Sequence, residues 1–446
     1  MPPASFLKYA RQNTPRYTSY PTAPHFHEGV NASVFANWLA AQTASAVGSL
    51  YIHIPYCREM CWYCGCSTRA TRKTEPIAAY TGTLLAEIDL AADGFSGRPQ
   101  LAHIHFGGGT PTILTDAQFA AIMDRIHDRF TITSTAEIAI EIDPRIFTPA
   151  KADHLARNGV NRASLGVQTF DIEVQARINR IQPVERVVAC VDDLRTAGIR
   201  DISFDLLYGL PGQTLESCRE TVATALTMRP DRLSVFGYAH VPHLKRHQKL
   251  IRDEDLPGPE ARIEQALAIA DAAQDAGLIP VGIDHYARPQ DGMGQMLASG
   301  RLRRNFQGYT TDQSDFLLGL GASAISRTSI GYAQNTADVA SWAKAINAGQ
   351  LATARGIELS AEDHLRSAVI ERLMCVLHVD IDRMEQDHDL HLDFPDLSDL
   401  EADSVIQRDG MRITIPESCR MLARIVAARF DARLHNNSRA RHSLSV

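Results

Sequence analysis

The chain has 446 residues, of which 45% are hydrophobic and 22% charged, and its formal net charge is −7. This is ordinary globular composition, which argues against disorder, collagen-like repeats and coiled coils, and the acidic balance argues against broad nucleic-acid binding. The sequence contains no apolar run long enough to span a membrane and no secretory signal, so we expect a cytoplasmic protein with reduced thiols.

The first 46 residues have no strong periodicity and are rich in proline and tyrosine, as in PRYTSYPTAPHF (15–26). This predicts an ordered arm, residues 1–46, laid on a surface. From about residue 47, short apolar or β-branched runs alternate with helical stretches. The predicted strands are Leu50–Ile54, Ala102–Phe106, Glu137–Ile142, Arg162–Val167, Ile202–Leu207, Arg232–Phe236 and Ile279–Ile283. The predicted helices are Ile77–Ala92, Asp116–Phe130, Val184–Ala197, Leu215–Met228 and Glu260–Ala276.

This alternation over residues 47–345 predicts βα units around a parallel sheet, in a complete or partial (β/α) barrel. Three glycines, Gly159, Gly198 and Gly277, each follow a helical pattern, as residues that end helices do. The fold class is therefore α/β, with an N-terminal arm and a smaller C-terminal domain.

Polar or glycine-rich motifs follow the carboxyl end of each predicted strand, which is where the chemistry of such barrels lies. In chain order they are the cysteines from Cys57 onward, Gly107-Gly108-Gly109-Thr110-Pro111, Glu141 with Asp143, Gln168, Asp205, Tyr238-Ala239-His240 and Asp284-His285-Tyr286. Packing alone does not explain polar groups at the same end of every strand. We therefore predict an active site at this edge of the sheet.

Residues 294–332 are glycine-rich and irregular, and residues 346–446 are predicted to form a mainly helical C-terminal domain. It closes with GMRITIPESCRMLARIVAARF (410–430), a short β pair followed by a helix, as in winged-helix modules. Such modules often bind DNA, but this one lacks a concentrated basic helix. We interpret it as a lid or packing module.

The eight cysteines are unevenly distributed. Cys57, Cys61, Cys64 and Cys66 fall within ten residues, whereas the other four lie in apolar helical sequence and are interpreted as small buried hydrophobes. In a reducing compartment, clustered cysteines indicate metal or redox chemistry before disulfides.

The spacing C-x3-C-x2-C-x-C is compared with three kinds of site. Structural zinc usually uses two ligand pairs separated by a longer loop. A thioredoxin-type pair would use Cys61 and Cys64 and leave Cys57 unexplained. Three thiolates at x3 and x2 spacing can hold three corners of a [4Fe–4S] cube and leave its fourth iron open to a small molecule. The spacing favours the cluster, with a zinc or redox module as the alternative.

CxxxCxxC after the first strand of such a barrel resembles the radical S-adenosylmethionine (SAM) superfamily, and GGGTP (107–111) resembles its glycine-rich stretch. Further motifs resemble the oxygen-independent coproporphyrinogen III dehydrogenases, from about residue 15 to the C-terminus. They are PRYTSYPTA (15–23), YIHIPYCREMCWYCGC (51–66), HFGGGTPT (105–112), EIDP (141–144), LGVQ (165–168), INRIQ (178–182), FDLLYGLPGQT (204–214), VFGYAHVP (235–242), DHYARP (284–289) and RNFQGYTT (304–311).

The resemblance implies haem biosynthesis: oxidative decarboxylation of two propionates of coproporphyrinogen III to the vinyl groups of protoporphyrinogen IX, by a 5′-deoxyadenosyl radical. Such a C–H bond has no polar neighbour to acidify it, so a radical cofactor is apt. The implied cofactors are a [4Fe–4S] cluster and two SAM molecules. The implied partner is a one-electron donor such as a flavodoxin or ferredoxin, and we expect a monomer with no nucleic-acid or membrane partner.

Related chains with the same cysteines act as haem carriers, so a haem-binding chaperone on the same scaffold is the alternative function. Those chains are typically shorter and lack the arm around PRYTSYP. The presence of that motif here favours the dehydrogenase.

The resemblance also implies roles for individual residues. Cys57, Cys61 and Cys64 would ligate the cluster, and Cys66 would not. The positions matching contacts to the cluster-bound SAM are Tyr51, Gly108, Glu141 and Ile325. The positions matching contacts to the second SAM are Tyr63, Gly109, Thr110, Gln168, Arg180, Asp205 and Ala239. Because the substrate carries four carboxylates, arginines in family-like motifs are candidate substrate ligands. They are Arg16, Arg288 and Arg304.

Overall fold

The computed structural model describes residues 4–10 and 12–434. Its strands are β1 (Val47–Ile54), β2 (Tyr56–Cys57), β3 (Arg69–Ala70), β4 (Gln100–Gly108), β5 (Thr131–Ile142), β6 (Arg162–Gln168), β7 (Asp201–Tyr208), β8 (Arg232–Gly237), β9 (Ile279–Val281), β10 (His285–Ala287), β11 (Arg303–Asn305), β12 (Gly308–Thr310), β13 (Phe316–Leu320), β14 (Ile325–Arg327), β15 (Gly331–Asn335), β16 (Thr353–Glu358), β17 (His378–Asp380), β18 (Gln407–Asp409) and β19 (Arg412–Thr414).

The α-helices are α1 (Ala4–Ala10), α2 (Ala32–Ala40), α3 (Glu75–Asp93), α4 (Asp116–Arg129), α5 (Pro149–Arg157), α6 (Ile172–Arg177), α7 (Val184–Thr196), α8 (Leu215–Thr227), α9 (Pro259–Asp275), α10 (Gly292–Ala298), α11 (Val339–Asn347), α12 (Ala361–Val376), α13 (Ile381–His388), α14 (Ser398–Ala402) and α15 (Ala423–Arg429). Short 3₁₀ helices occur at Ala23–His25, Pro111–Ile113, Pro144–Ile146, Arg246–Leu250, Asp253–Asp255 and Glu417–Leu422. Across these residues no helix has both the length and the apolar character needed to cross a membrane.

One 12-stranded sheet organises the fold, in the order β16-β15-β14-β13-β1-β4-β5-β6-β7-β8-β10-β9. The seven strands from β13 to β8 in this order are parallel. The terminal strands β16 and β9 do not pair with each other, so the sheet is open. This confirms the predicted α/β partial barrel, and it brings the carboxyl ends of seven strands to one edge.

The predicted helices and their ends agree closely with the structure. Gly159, Gly198 and Gly277 follow α5, α7 and α9 and have φ of +85°, +98° and +83°, a backbone conformation that favours glycine. Helix α4 begins with a capping box, because Thr115 accepts from the Gln118 N–H and the Gln118 side chain accepts from the Thr115 N–H.

The parallel strand β13 comes from the stretch that the sequence analysis treats as irregular. It is buried along its whole length and pairs with β1. A Cβ at Gly319 would collide with the backbone of Ile325, so the strand requires a glycine that weakens its sequence signal. Conversely, the predicted strand Ile279–Ile283 shortens to β9, and the antiparallel strand β10 separates it from β8.

The arm and the C-terminal residues share a second hydrophobic core. Phe6, Tyr9, Tyr17 and Tyr20 are buried there against α12, α15 and the three-stranded sheet β17-β19-β18. The Tyr17 hydroxyl donates a 3.0 Å hydrogen bond to Asp431. The helices α1 and α2 within the arm have no counterpart among the predicted elements.

The domain boundaries remain a proposal. The expected boundary at 345/346 lies inside α11, and β16 still pairs into the large sheet, which therefore extends to Glu358. Residues 435–446 of the predicted C-terminal domain lie outside the described residues.

Candidate functional site

The cysteine loop follows β1 and is closed at its base by the short parallel pair β2–β3. The Arg69 N–H donates to Pro55 O at 2.8 Å, and the Thr71 N–H donates to Cys57 O at 2.8 Å. On its barrel side, the Trp62 N–H donates to Ile178 O at 2.9 Å. The loop is thus fixed through its backbone to two other segments, residues 69–71 and Ile178.

A second segment, residues 245–248, holds the far side of the loop. Lys245 Nζ donates to Cys66 O at 2.8 Å, and His247 Nε2 lies 2.7 Å from Cys64 O. Gln248, which is fully buried, donates to Tyr63 O at 2.9 Å. These side chains take up the loop's carbonyl groups, which leaves the thiols free to face inward.

Cys57, Cys61 and Cys64 all line one cavity of about 550 Å³ at the carboxyl edge of the sheet. The Thr110 hydroxyl donates to Cys57 Sγ at 3.3 Å, and the Thr68 hydroxyl lies at the same distance. Burial raises the pKa of the Cys57 thiol, and the hydrogen bonds from Thr110 and Thr68 oppose that rise. Three thiols facing one space suit an iron–sulfur cluster, since thiolates are its usual ligands.

Within the described ranges, no three or more His, Cys, Asp or Glu side chains are grouped as ligands of a single metal ion. All eight cysteines are free thiols.

The glycine stretch at the end of β4 lets the cysteine loop lie directly on the sheet. Gly108 has φ of +118°, and a Cβ there would lie 2.8 Å from the His53 ring. A Cβ on Gly109 would lie 2.5 Å from Thr68 Oγ1 and 2.7 Å from Tyr56 O. A side chain at Gly109 would push the loop outward, and one at Gly108 would displace the His53 ring on β1.

Two carboxylates behind the glycines have opposite electrostatic surroundings. Burial raises the pKa of Glu141, but hydrogen bonds from His105 and the Gly108 N–H outweigh it, so that pKa lies below its usual value. Burial and the charge of Glu141 raise the pKa of Asp205 to about 7, against a hydrogen bond from Ser164. Glu141 is therefore ionised at neutral pH, while Asp205 titrates there.

Two arginines reach the sulfur of Cys61. Arg145 and Arg180 each place a guanidinium nitrogen 3.6 Å from Cys61 Sγ, and both pair with Asp143, at 2.7 and 3.5 Å. Among the described residues, the buried Arg180 Nε has no hydrogen-bond partner. In the sequence, Asp143 is marked only as a polar strand end, and Arg145 lies one residue beyond the motif EIDP (141–144).

The structure brings most of the predicted site residues together around this cavity. Those that line it are Cys57, Cys61, Cys64, Tyr63, Gly108, Gly109, Thr110, Glu141, Gln168, Arg180, Asp205 and Ala239. Tyr51 lies behind them, stacked on His105 with a ring separation of 5.8 Å. Ile325 packs beside the cluster of Phe26 and Tyr332. The two are not among the lining residues, so their contacts to SAM stay predictions.

Comparison with known proteins agrees with this geometry. Residues 51–225 match the Radical SAM superfamily. The oxygen-independent coproporphyrinogen III oxidase of Bradyrhizobium diazoefficiens is 49% identical over 433 residues, covering 96% of each chain. The enzyme of that name from Escherichia coli K12 is 38% identical over 95% of this chain and 94% of its own.

The solved structure of coproporphyrinogen III oxidase (HemN) from Escherichia coli, a radical SAM enzyme, superposes with a TM-score of 0.89. It has 37% sequence identity and covers 95% of this chain and 100% of that chain. All three relatives are named oxidases, which favours the oxidase prediction over the haem-carrier alternative.

Proposed function

The chain belongs to the oxygen-independent coproporphyrinogen III oxidases of the radical SAM superfamily, and we propose that it converts two propionates of coproporphyrinogen III into the vinyl groups of protoporphyrinogen IX. Its cofactors are a [4Fe–4S] cluster and SAM. The observation that carries the proposal is that three cysteine thiols of one clamped loop share a cavity with the glycine stretch and with buried arginines.

When bound, the cluster and SAM would supply radical chemistry able to break a C–H bond at the β-carbon of a propionate. The protein binds and orients the cofactors and the substrate, and it excludes water from the site. Cys57, Cys61 and Cys64 would hold the cluster. Arg180, whose buried Nε lacks a hydrogen-bond partner within residues 4–10 and 12–434, would pair with a SAM carboxylate. Glu141, held ionised, would accept hydrogen bonds from SAM.

Tyr63 would stack on the adenine, because its ring lines the cavity next to the third ligand. A second SAM remains part of the proposal. Its support is that Gln168, Asp205 and Ala239, which match the second set of contacts, line the same cavity as the cysteines.

Anaerobic reconstitution with iron and sulfide, followed by reduction in the presence of SAM and coproporphyrinogen III, tests the function. We expect 5′-deoxyadenosine and CO2, and neither from Cys57→Ala, Cys61→Ala or Cys64→Ala. Formation of 5′-deoxyadenosine by any of these variants would refute the ligand assignment. A wild-type protein that loads a cluster but releases no CO2 would refute the substrate.

The finer parts of the expectation are proposals as well. We infer a one-electron donor such as a flavodoxin or ferredoxin, a monomeric state, a cytoplasmic location, and no nucleic-acid or membrane partner. The acidic net charge of −7 supports the last point for nucleic acid. Light scattering during size-exclusion chromatography tests the monomer directly.

A further inference from the structure

A second cavity, of about 220 Å³, lies beside the first and is lined by four arginines. Arg16 comes from the arm, Arg262 from α9, Arg304 from β11 and Arg424 from α15. Asp284 is the one carboxylate among its described lining residues. We call this space, defined by these five residues, the arginine cavity.

Three of these guanidinium groups donate to backbone carbonyls rather than to carboxylates. Within the described residues, Arg16, Arg262 and Arg304 form no ion pair with a carboxylate. They donate instead to backbone carbonyls, at 3.3, 3.0 and 3.2 Å respectively. In the part of the chain that the structure describes, the buried atoms Arg262 Nε and Arg304 Nη1 have no hydrogen-bond partner. Arg262 and Arg304 are half-buried, and cations held in such positions without a carboxylate are costly, so this arrangement indicates an anionic ligand.

The electrostatics of the cavity agree with this interpretation. Burial, followed by the charge of Arg16, lowers the pKa of Arg424 to about 10. Burial raises the pKa of Asp284, but His285, Arg304 and Arg16 outweigh it and hold that pKa below its usual value. Asp284 is therefore ionised, and it still leaves an excess of cations that a bound anion would relieve.

The arginine cavity adjoins the cysteine cavity. Arg16 and the segment 236–239 line both of them. A ligand whose carboxylates lie among the arginines can therefore extend its remaining part toward the cysteine loop. A large flat molecule with several carboxylates on flexible arms has that shape.

We propose that the arginine cavity binds the propionate carboxylates that are not reacting, and so holds one propionate of a tetracarboxylate tetrapyrrole toward the cysteine cavity. The inference rests on the proposed function and deepens it. The inference predicts an order of affinities for the intermediate and the product that suits two successive decarboxylations. The singly decarboxylated intermediate keeps three carboxylates and stays bound, whereas the product keeps two and binds more weakly.

The same geometry removes Arg288 from the candidate substrate ligands. Its N–H donates to Asp231 O at 3.0 Å and its Nε to Pro230 O at 3.2 Å. Both acceptors precede β8, at the end of the sheet opposite the cavities. Antiparallel pairing explains the error, because β10 runs away from the active edge. Arg288→Gln is therefore a matched control.

The test measures binding of two porphyrins to the iron-loaded enzyme by fluorescence titration without oxygen. Coproporphyrin III carries four carboxylates and mesoporphyrin IX two. Each of Arg16→Gln, Arg262→Gln and Arg424→Gln should weaken coproporphyrin III about tenfold or more, since each removes a charge-assisted hydrogen bond. The preference for coproporphyrin III over mesoporphyrin IX should decrease in these variants. Arg262→Lys should restore part of that preference. Arg288→Gln should change neither the affinity for coproporphyrin III nor the preference.

In turnover, the same variants should raise the KM for coproporphyrinogen III while iron content and SAM affinity stay unchanged. Unchanged coproporphyrin III affinity in Arg16→Gln and Arg262→Gln would overturn the inference, even where the wild type releases CO2. Should Arg424→Gln fail to fold, Arg16→Gln decides, because that side chain is exposed. Arginine-dependent binding by a wild type that releases no CO2 would sustain the carboxylate site and refute the proposed function.

Discussion

The Thr110 hydroxyl donates a hydrogen bond to Cys57 Sγ, so the glycine stretch contacts the first cysteine through a side chain. Hydrogen bonds to ligand sulfurs are among the factors that set the potential of iron–sulfur clusters. Thr110→Val should therefore lower the reduction potential of the reconstituted cluster, measured by redox titration. Thr110→Ser keeps the hydroxyl and should leave the potential near that of the wild type. Equal potentials in Thr110→Val and wild type would contradict the role of this contact.

Gly109→Ala should disturb the cysteine loop through space alone, because its Cβ would meet Thr68 and the backbone of Tyr56. Overpacking of this kind costs about 1–3 kcal/mol. We expect lower iron content after reconstitution and a lower unfolding midpoint. Gly65→Ala, in the same loop but with nothing within 4 Å of its Cβ, should load iron as the wild type does. Equal loading by both variants would argue against close packing here.

Cys66→Ala should retain the cluster. Cys66 is exposed and its N–H lies 3.4 Å from Cys64 Sγ, so its backbone supports the loop whatever its side chain is. Iron and sulfide content and 5′-deoxyadenosine formation should match those of the wild type. Loss of the cluster in this variant would make Cys66 a fourth ligand and close the open iron.

Glu87 lies on α3 and is buried against the turn after β13. It accepts hydrogen bonds from the Gly321 N–H, Asn335 and the Trp342 indole at 2.6, 2.7 and 3.0 Å. Burial raises its pKa to about 7, against these hydrogen bonds. The folded protein then holds a proton that the unfolded chain has already lost above its ordinary pKa of 4.5.

The contribution of Glu87 to stability should therefore fall as pH rises from about 4.5 to 7, and level off above that range, by at most about 3 kcal/mol. Urea unfolding of wild type and Glu87→Gln at several pH values measures this. Between about pH 4.5 and 7, the free energy of unfolding of Glu87→Gln should rise relative to that of the wild type. Parallel pH profiles would show that the pKa of Glu87 is not raised.

Much of the parallel sheet and of the cysteine cavity can be predicted from the sequence, because both follow from local patterns. Cys57 and Gly108 stand just after or at the ends of apolar strands, and parallel strands bring such ends to one edge. A glycine that follows a helical pattern likewise predicts the end of that helix. The predicted strands and helices agree best with the structure where the apolar periodicity and the motif at the end of the element indicate the same boundary.

The rest depends on contacts between distant segments. Arg262 and Arg424 lie in sequence typical of ordinary helices, and only the packing of α9 and α15 turns both toward one cavity. Arg288 shows the reverse, since its motif suggested a ligand and an antiparallel strand carried it away. Phe316–Leu320 was missed because close approach to Ile325 demands a glycine that interrupts the β pattern.

The core shared by the arm and the C-terminal residues is completed only at the end of translation. Phe6, Tyr9 and Tyr20 leave the ribosome early, but the helices that cover them, up to Phe430, are translated last. At about 5–20 residues per second, this delay is roughly 20 to 80 seconds. During that time the aromatic rings lack the cover of α15, so the emerging arm exposes part of its apolar surface until the last helix is made.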